Sequence, residues 1–285
     1  MTDNTLLSPL AVGQQIAAMY GALPQVEAVA LAGSHTTGHA GPGSDIDLYV
    51  YVREGLPVDV RASMIRARAE RMEINNQFWE PGDEWIEAGT HVAVDVMYRC
   101  KSWIEDQLDR VLVRHEASVG YSTCFWHNVL TSHVLYDKKG WYHAIQERAR
   151  QPYPEPLRRA ILAKNHPILR ETLSSYLHQL EKATARGDLV SVNHRVAALL
   201  ASYFDILSAV NRMPHPGEKR LVEIAQAQCA KRPEGMCEQV SGLIRASGVG
   251  DQDAMARIEA LVEGLDELLR AEELLPGPCH SSFAS

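Results

Sequence analysis

The stretch Gly33-Ser34-His35-Thr36-Thr37-Gly38-His39-Ala40-Gly41-Pro42-Gly43-Ser44-Asp45-Ile46-Asp47-Leu48-Tyr49-Val50 decides how the chain is read. Gly33-Ser34 closes an apolar run, Val26 to Ala32 (VEAVALA), that predicts a buried strand. Asp45-Ile46-Asp47 opens a second strand, Ile46 to Arg53 (IDLYVYVR), whose residues alternate between two faces. In the loop between them, Gly38, Gly41 and Gly43 let the backbone turn tightly and come close to a ligand. Alternation puts Asp45 and Asp47 on one face, while Ile46, Leu48, Val50 and Val52 point to the core. Two neighbouring carboxylates repel, which raises the cost of ionising both. A divalent cation between them removes that cost, and hard Mg²⁺ prefers such oxygens.

A third acid fits the same pattern. In His91 to Arg99 (HVAVDVMYR), another alternating strand, Asp95 lies opposite the face carrying Val92, Val94, Val96 and Tyr98. An aspartate inside so apolar a strand is costly unless it is paired or metal-bound. If this strand neighbours the Ile46 strand, Asp95 completes a triad with Asp45 and Asp47.

Further out, Pro9 to Gly21, Val58 to Glu73 and Trp103 to Arg114 predict helices, and His133 to Asp137 (HVLYD) a short strand. Alternating strands and helices make an α/β sheet layered with helices. After the proline-rich Gln151 to Pro156 the strand signals vanish. Leu189 to Val210 carries apolar residues at helical spacing with Asp188 as its N-cap, and Met255 to Leu269 forms a similar stripe. A third stripe covers Leu157 to Leu180, with Pro167 expected to break or kink it. These stripes suit a bundle core. The final LLPGPCHSSFAS is expected to be loosely held.

The length of 285 residues suits two domains, and the 46% hydrophobic and 22% charged composition is that of a globular chain without a disordered tail. No basic region followed by an apolar block opens the chain, and no run approaches the ~20 apolar residues that span a bilayer. These features predict a cytoplasmic protein. The five cysteines, Cys100, Cys124, Cys229, Cys237 and Cys279, lack zinc-knuckle spacing and read as reduced thiols. A net charge of −8 weighs against a nucleic-acid partner, whose phosphates need many Lys and Arg contacts. It suits instead a nucleotide held through metal ions, and a cationic acceptor.

Gly-Ser, about ten residues, Asp-apolar-Asp-apolar and a later strand aspartate together resemble the polymerase-β-like nucleotidyltransferase superfamily. The resemblance covers roughly Val26 to Arg99, with a weaker echo to Asp137. It implies an α/β (α+β) nucleotidyltransferase domain with a mixed sheet over residues 1–150, followed by an all-α helical bundle domain over 151–285. It also implies that Gly33, Ser34 and Ser44 hold the triphosphate of an NTP, with ATP the first candidate. Two Mg²⁺ ions would sit on Asp45, Asp47 and Asp95, with Asp95 on the metal that activates the acceptor hydroxyl, and as its candidate base. The implied reaction is in-line attack of that hydroxyl on the α-phosphorus with release of pyrophosphate. The layout resembles that of aminoglycoside nucleotidyltransferases and points to a small hydroxylated, cationic acceptor. AMP transfer to a protein side chain and a non-enzymatic nucleotide-binding or toxin–antitoxin-type module are the alternatives, and an intact acid triad favours the enzyme.

Two weaker features remain. In HPGEKR (His215 to Arg220), Lys219 and Arg220 are expected to reach the triphosphate from the second domain, against the plainer reading of solvated basic residues at a helix start. In WEPGDEW (Trp79 to Trp85), acids between two tryptophans suit a cationic acceptor, but an acidic turn between strands is the simpler reading. The R-x6-H spacing of Arg159 and His166 matches the ribonuclease pair of some helical domains. Ala160 stands where that motif has a polar residue, and the match is read as chance.

Overall fold

The computed structural model describes residues 8–38, 41, 43–78, 80–249 and 253–275. The chain divides into two compact units, residues 1–109 with 125–151, and residues 110–124 with 152–285. Trp79, Cys279 and most of the terminal segment lie outside the described residues.

The first unit is built on a six-stranded mixed sheet: β1 (Val26–Leu31), β2 (Ile46–Val52), β3 (Ala69–Asn76), β4 (Gly82–Glu87), β5 (Ala93–Cys100) and β6 (His133–Asp137). Across the sheet the order is β3-β4-β5-β2-β1-β6. Only the β2–β5 pair is parallel; the other four pairs are antiparallel. Helix α1 (Pro9–Gly21) starts where Ser8 Oγ accepts from the Ala11 amide and Pro9 supplies a first-turn residue that needs no donor. Its buried stripe of Val12, Ile16, Ala17 and Tyr20 joins Leu48, Val50, Val94 and Val96 in one core. Helix α2 (Ser34–Thr37) is a single turn, and α3 (Val58–Arg66), α4 (Lys101–Leu112), α5 (Cys124–Thr131) and α6 (Trp141–Ala149) follow in order.

The other face of β2 is covered as well, but only along part of its length. Tyr49 and Tyr51 are buried there, with the Arg99 guanidinium 3.7 Å from the Tyr49 ring centre and the Tyr142 ring 4.9 Å from that of Tyr51. Toward the start of β2 this cover ends. Asp47 is half-buried and Asp45, just ahead of the strand, is exposed.

One expectation fails in this unit. The helix predicted over Val58 to Glu73 stops at Arg66, and Ala69–Asn76 forms β3. As the sheet's edge strand β3 is mostly exposed, so AERMEINN shows no apolar alternation to betray it. Its partner β4 falls where an acidic turn was expected, so four residues of WEPGDEW are strand, not loop.

The second unit is helical: α7 (Glu155–Asn165), α8 (Pro167–Arg170), α9 (Tyr176–Ala185), α10 (Leu189–Val210), α11 (Leu221–Gln228), α12 (Met236–Val249) and α13 (Asp253–Ala271). Asp188 caps α10, its carboxylate accepting from the Ser191 amide at 3.1 Å. The Leu157–Leu180 stripe is three helices rather than one kinked helix. Pro167, with no amide hydrogen to donate, begins α8, and Ser175 caps α9. At the break, His166 and Asp266 of α13 are buried and hydrogen-bonded at 2.6 Å. Arg159 is exposed on α7 and pairs with Glu155 at 3.2 Å. Among the described residues no helix is long and apolar enough to cross a membrane.

The segment 110–124 is held inside this unit by Asp205 of α10. Its carboxylate accepts from the Ser122 amide at 3.0 Å and from Ser122 Oγ at 2.6 Å. Burial pushes the carboxyl up to about 6, outweighing the Ser122 hydrogen bonds and Arg110, which pull it down. The folded chain thus holds this proton more tightly than the unfolded one. Stability is lost as pH climbs from the ordinary carboxylate value of 3.8 through about 6. Asp205→Asn, neutral and of like shape, is expected to recover up to about 3 kcal/mol at neutral pH and nothing near pH 4. Denaturant unfolding at both pH values checks the difference, which should show as a flattened pH slope.

Candidate active site

Parallel pairing brings the sequence motifs together. Asp47 of β2 is the register partner of Asp95 of β5, so both carboxylates project from the same face of adjacent strands. Asp45 precedes the same strand by one residue and shares that face. The end of β1 is tied to this point by a hydrogen bond from the Ala32 amide to the Asp47 carbonyl at 2.9 Å. Gly33 follows with φ 68°, in a conformation that favours glycine, as the residue that leads into α2. A Cβ on Gly33 would lie 1.8 Å from Asp47 Oδ2. Only a residue without a side chain lets the Asp47 carboxylate take its place.

The loop between the motif halves is closed by Ser44. Its hydroxyl accepts from the Gly41 amide at 2.9 Å, its own amide donates to the Gly41 carbonyl at 3.1 Å, and His35 Nε2 lies 3.4 Å from its carbonyl. Ser34 is half-buried at the start of α2.

The acid face is wider than the triad. In the antiparallel β4–β5 pair Glu84 is the register partner of Asp95, and in β3–β4 Glu73 is the partner of Glu84. Four carboxylates therefore form a row across four strands: Glu73, Glu84, Asp95, Asp47. Beside it runs a second row of Arg71, Ile86 and Ala93. A groove of about 460 Å³ lies over these strands, lined by Asp45, Arg71, Glu73, Glu84, Ile86 and Asp95 among others. Glu84 is exposed and accepts from Asn76 Nδ2 at 2.8 Å. Asp95 feels the crowd: burial first, then Glu84, Asp47, Asp45 and Glu80, push its carboxyl up to about 6.

Glu73 and Arg71 escape a reading of the sequence because β3 does, and Glu84 enters it only as one of the WEPGDEW acids. A signal for β4 does exist: Asp83, Trp85 and Glu87 are buried, while Glu84 is exposed and Ile86 half-buried, a period of two just before the strand of Asp95. The other acids of WEPGDEW have partners of their own. Glu80 makes a two-pronged ion pair with Arg99 (2.7 and 2.8 Å), and buried Asp83 binds Arg61 at 2.8 Å.

Among the described residues, no group of three or more His, Cys, Asp or Glu side chains is converged tightly enough to hold a metal ion as it stands. The donor chemistry nonetheless fits a hard divalent cation: all the oxygens are carboxylate, they share one face, and burial together with their crowding raises the Asp95 carboxyl. Lys219 and Arg220 belong to the second unit, where both are exposed. Arg220, at φ 55°, leads into α11 and lies 3.9 Å from Glu223. Their loop is pinned by buried His215, whose amide donates to Thr123 Oγ1 at 2.7 Å and whose Nδ1 accepts from the Gly217 amide at 3.1 Å.

The family model described as the nucleotidyltransferase domain matches residues 16–115. Residues 16–115 are a nucleotidyltransferase domain. The match runs from within α1 to just past α4 and contains Gly33, Ser34, Asp45, Asp47 and Asp95. Domains of this family in general transfer a nucleoside monophosphate, and the match covers about a third of the chain. No curated protein matches it. Among solved structures, a nucleotidyltransferase-like protein from Exiguobacterium sibiricum 255-15 aligns over 92% of this chain and 74% of its own, with 13% identity and a TM-score of 0.42.

The contact between Gly33 and Asp47 gives the nucleotidyltransferase domain a sharp test. Gly33→Ala is expected to cost roughly 1–3 kcal/mol for the backbone at φ 68° and ψ −150° alone, with a further loss as Asp47 is displaced. Denaturant titration measures the total. An experimental structure of the variant should show Asp47 rotated away from residue 33.

Proposed function

We propose that the protein moves a nucleoside monophosphate, with ATP as the first candidate donor, onto a hydroxyl of a small-molecule acceptor and releases pyrophosphate. What supports this most is the side-by-side register of Asp47 and Asp95 on parallel strands, with Asp45 on the same face and Gly33 against Asp47. Asp45, Asp47 and Asp95 are assigned as ligands of two Mg²⁺ ions. Bound there, such ions would lower the pKa of an attacking hydroxyl and stabilise the leaving oxygen. Gly33 and Ser34 lie at the turn from β1 into α2, where a backbone amide and a hydroxyl would donate to the triphosphate.

The acceptor oxygen forms its bond to the α-phosphorus while the bond from that phosphorus to the bridging oxygen of pyrophosphate breaks. The hydroxyl proton goes to Asp95, the carboxylate that the register places beside Asp47. The rest of the rate comes from holding donor and acceptor in line. The acidic chain, with a net charge of −8, suits an acceptor that is itself cationic, as an aminoglycoside is.

Incubation with Mg²⁺ and each NTP in turn, against a panel of hydroxylated amines and cell extract, should release pyrophosphate, and EDTA should stop it. Asp47→Asn keeps the shape and removes one charge, so the variant is expected to fold with an unchanged circular-dichroism spectrum. Its rate of transfer should drop at least ~100-fold, the scale of losing one transition-state electrostatic group. Substantial residual activity would place the metals elsewhere.

A further inference from the structure

A strand at the edge of a sheet turns every second residue's N–H and C=O outward, where they can pair with another chain. β3 is such a strand, at the end of the order β3-β4-β5-β2-β1-β6. Its register with β4 shifts between Ala69 and Arg71 and again between Ile74 and Asn76, so residues 71–74 are the stretch that runs straight. Irregularities at both ends confine any added strand to that stretch.

Nearby charges are matched within the chain: Glu70 lies 2.9 Å from His91, Glu87 2.7 Å from Arg68 and Asp83 2.8 Å from Arg61. Arg71 and Glu73 differ. Two places apart on β3, they share one face and are both exposed, yet among the described residues neither makes a hydrogen bond or an ion pair. Met72, between them, turns to the other face opposite buried Trp85 and keeps 37% of its surface exposed. A second copy of the same stretch supplies what all three lack. Facing residues of an antiparallel pair lie on the same face of the sheet, so under two-fold symmetry a residue faces itself or one an even number of places away. Two such registers use most of residues 71–74. One centres on Glu73 and sets that carboxylate against its own copy, which like charges disfavour. The other centres on Met72, so that Arg71 of each copy faces Glu73 of the other, twice. Charge selects the second.

We propose that β3 is the contact surface for a second copy of this chain, which joins it antiparallel at residues 71–74 with Met72 on the two-fold axis. The two sheets become one, the Met72 side chains cover each other, and two Arg71–Glu73 pairs close across the joint. Arg71 and Glu73 also line the groove of about 460 Å³. Each copy therefore places an arginine beside the last carboxylate of its partner's row. The contact does not depend on which reaction the acid face performs.

Sedimentation equilibrium of the full chain, from low to high micromolar concentration at low salt, should show a reversible monomer–dimer equilibrium. It should weaken as salt rises, because the pairs are exposed and screened. Across a two-fold axis each charge reversal acts twice. Arg71→Glu alone should therefore weaken self-association about tenfold, and Glu73→Arg alone should do the same. An equimolar mixture of the two variants should recover the affinity of the native chain, because every 71–73 contact between them is again of opposite charge. Damage to the fold of either variant could not produce that recovery. A chain that stays monomeric across the range, a dimer that either reversal leaves intact, or variants that fail to associate when mixed would overturn the proposal.

Discussion

Asp47 and Asp95 are held opposite one another in the parallel β2–β5 pair, one strand spacing apart. Two like charges about 5 Å apart repel by something like 3 kcal/mol at an effective dielectric of ~20. The sheet has to tolerate that cost, and its other face is where the compensation lies. Ile46, Leu48 and Val50 of β2 and Val94 and Val96 of β5 are all buried there, each contributing roughly 1.5–3 kcal/mol. The core thus forces an arrangement that the carboxylates alone would avoid. Gly33 meets the same demand on the Asp47 side, since any side chain at that position would push the carboxylate out of the row.

What could be read from the sequence follows from how strongly each segment's pattern is tied to burial. β1 and β2 are buried almost throughout, and β5 alternates from Ala93 to Met97, so their apolar spacing announced them. With three strands placed, alternation put Asp45 and Asp47 on one face, and Asp95 joined them only on the condition, met by the β2–β5 pair, that its strand is their neighbour. β3 and β4 were hidden for the opposite reason. β3 is an edge strand that buries little, and its charged residues also suit a helix; β4 carries Asp83 and Glu87 on its buried side, where a reader expects apolar residues. Without those strands, the extension of the acid row through Glu84 to Glu73 had no visible basis. A pattern of single residues cannot show that a buried aspartate is satisfied by an arginine in a helix twenty-two residues earlier, as Asp83 is by Arg61.

The helical unit gives the complementary lesson. The long stripe ending in Leu180 was visible as apolar spacing, but its division into α7, α8 and α9 depends on polar contacts. Asn165 gives its side-chain amide to the carbonyls of Ser118 and Ile161, and His166 turns to Asp266. The Asp266 carboxyl is raised by burial, yet the His166 hydrogen bond and the Arg170 charge outweigh this and hold it below the ordinary aspartate value. A histidine so engaged, with Arg159 exposed on Glu155, leaves the R-x6-H spacing without a shared cluster.

Within one strand, β4, neighbouring acids meet opposite fates, and the contrast separates architecture from chemistry. Asp83 points into the core and is fully satisfied there: Arg61 donates at 2.8 Å, the Tyr98 hydroxyl at 2.6 Å and the Asn75 amide at 2.7 Å, while Tyr98 in turn meets Tyr20 of α1 at 2.6 Å. Removing any member would leave a buried charge or dipole unpaired, which explains the acid without a ligand. Glu84, one residue on, points to the open face, where its register neighbours are two more carboxylates, Glu73 and Asp95. Charge that a fold needs for stability is paired within the fold. Charge stacked against like charge on an open face, over a groove, is instead charge that a bound cation can complete.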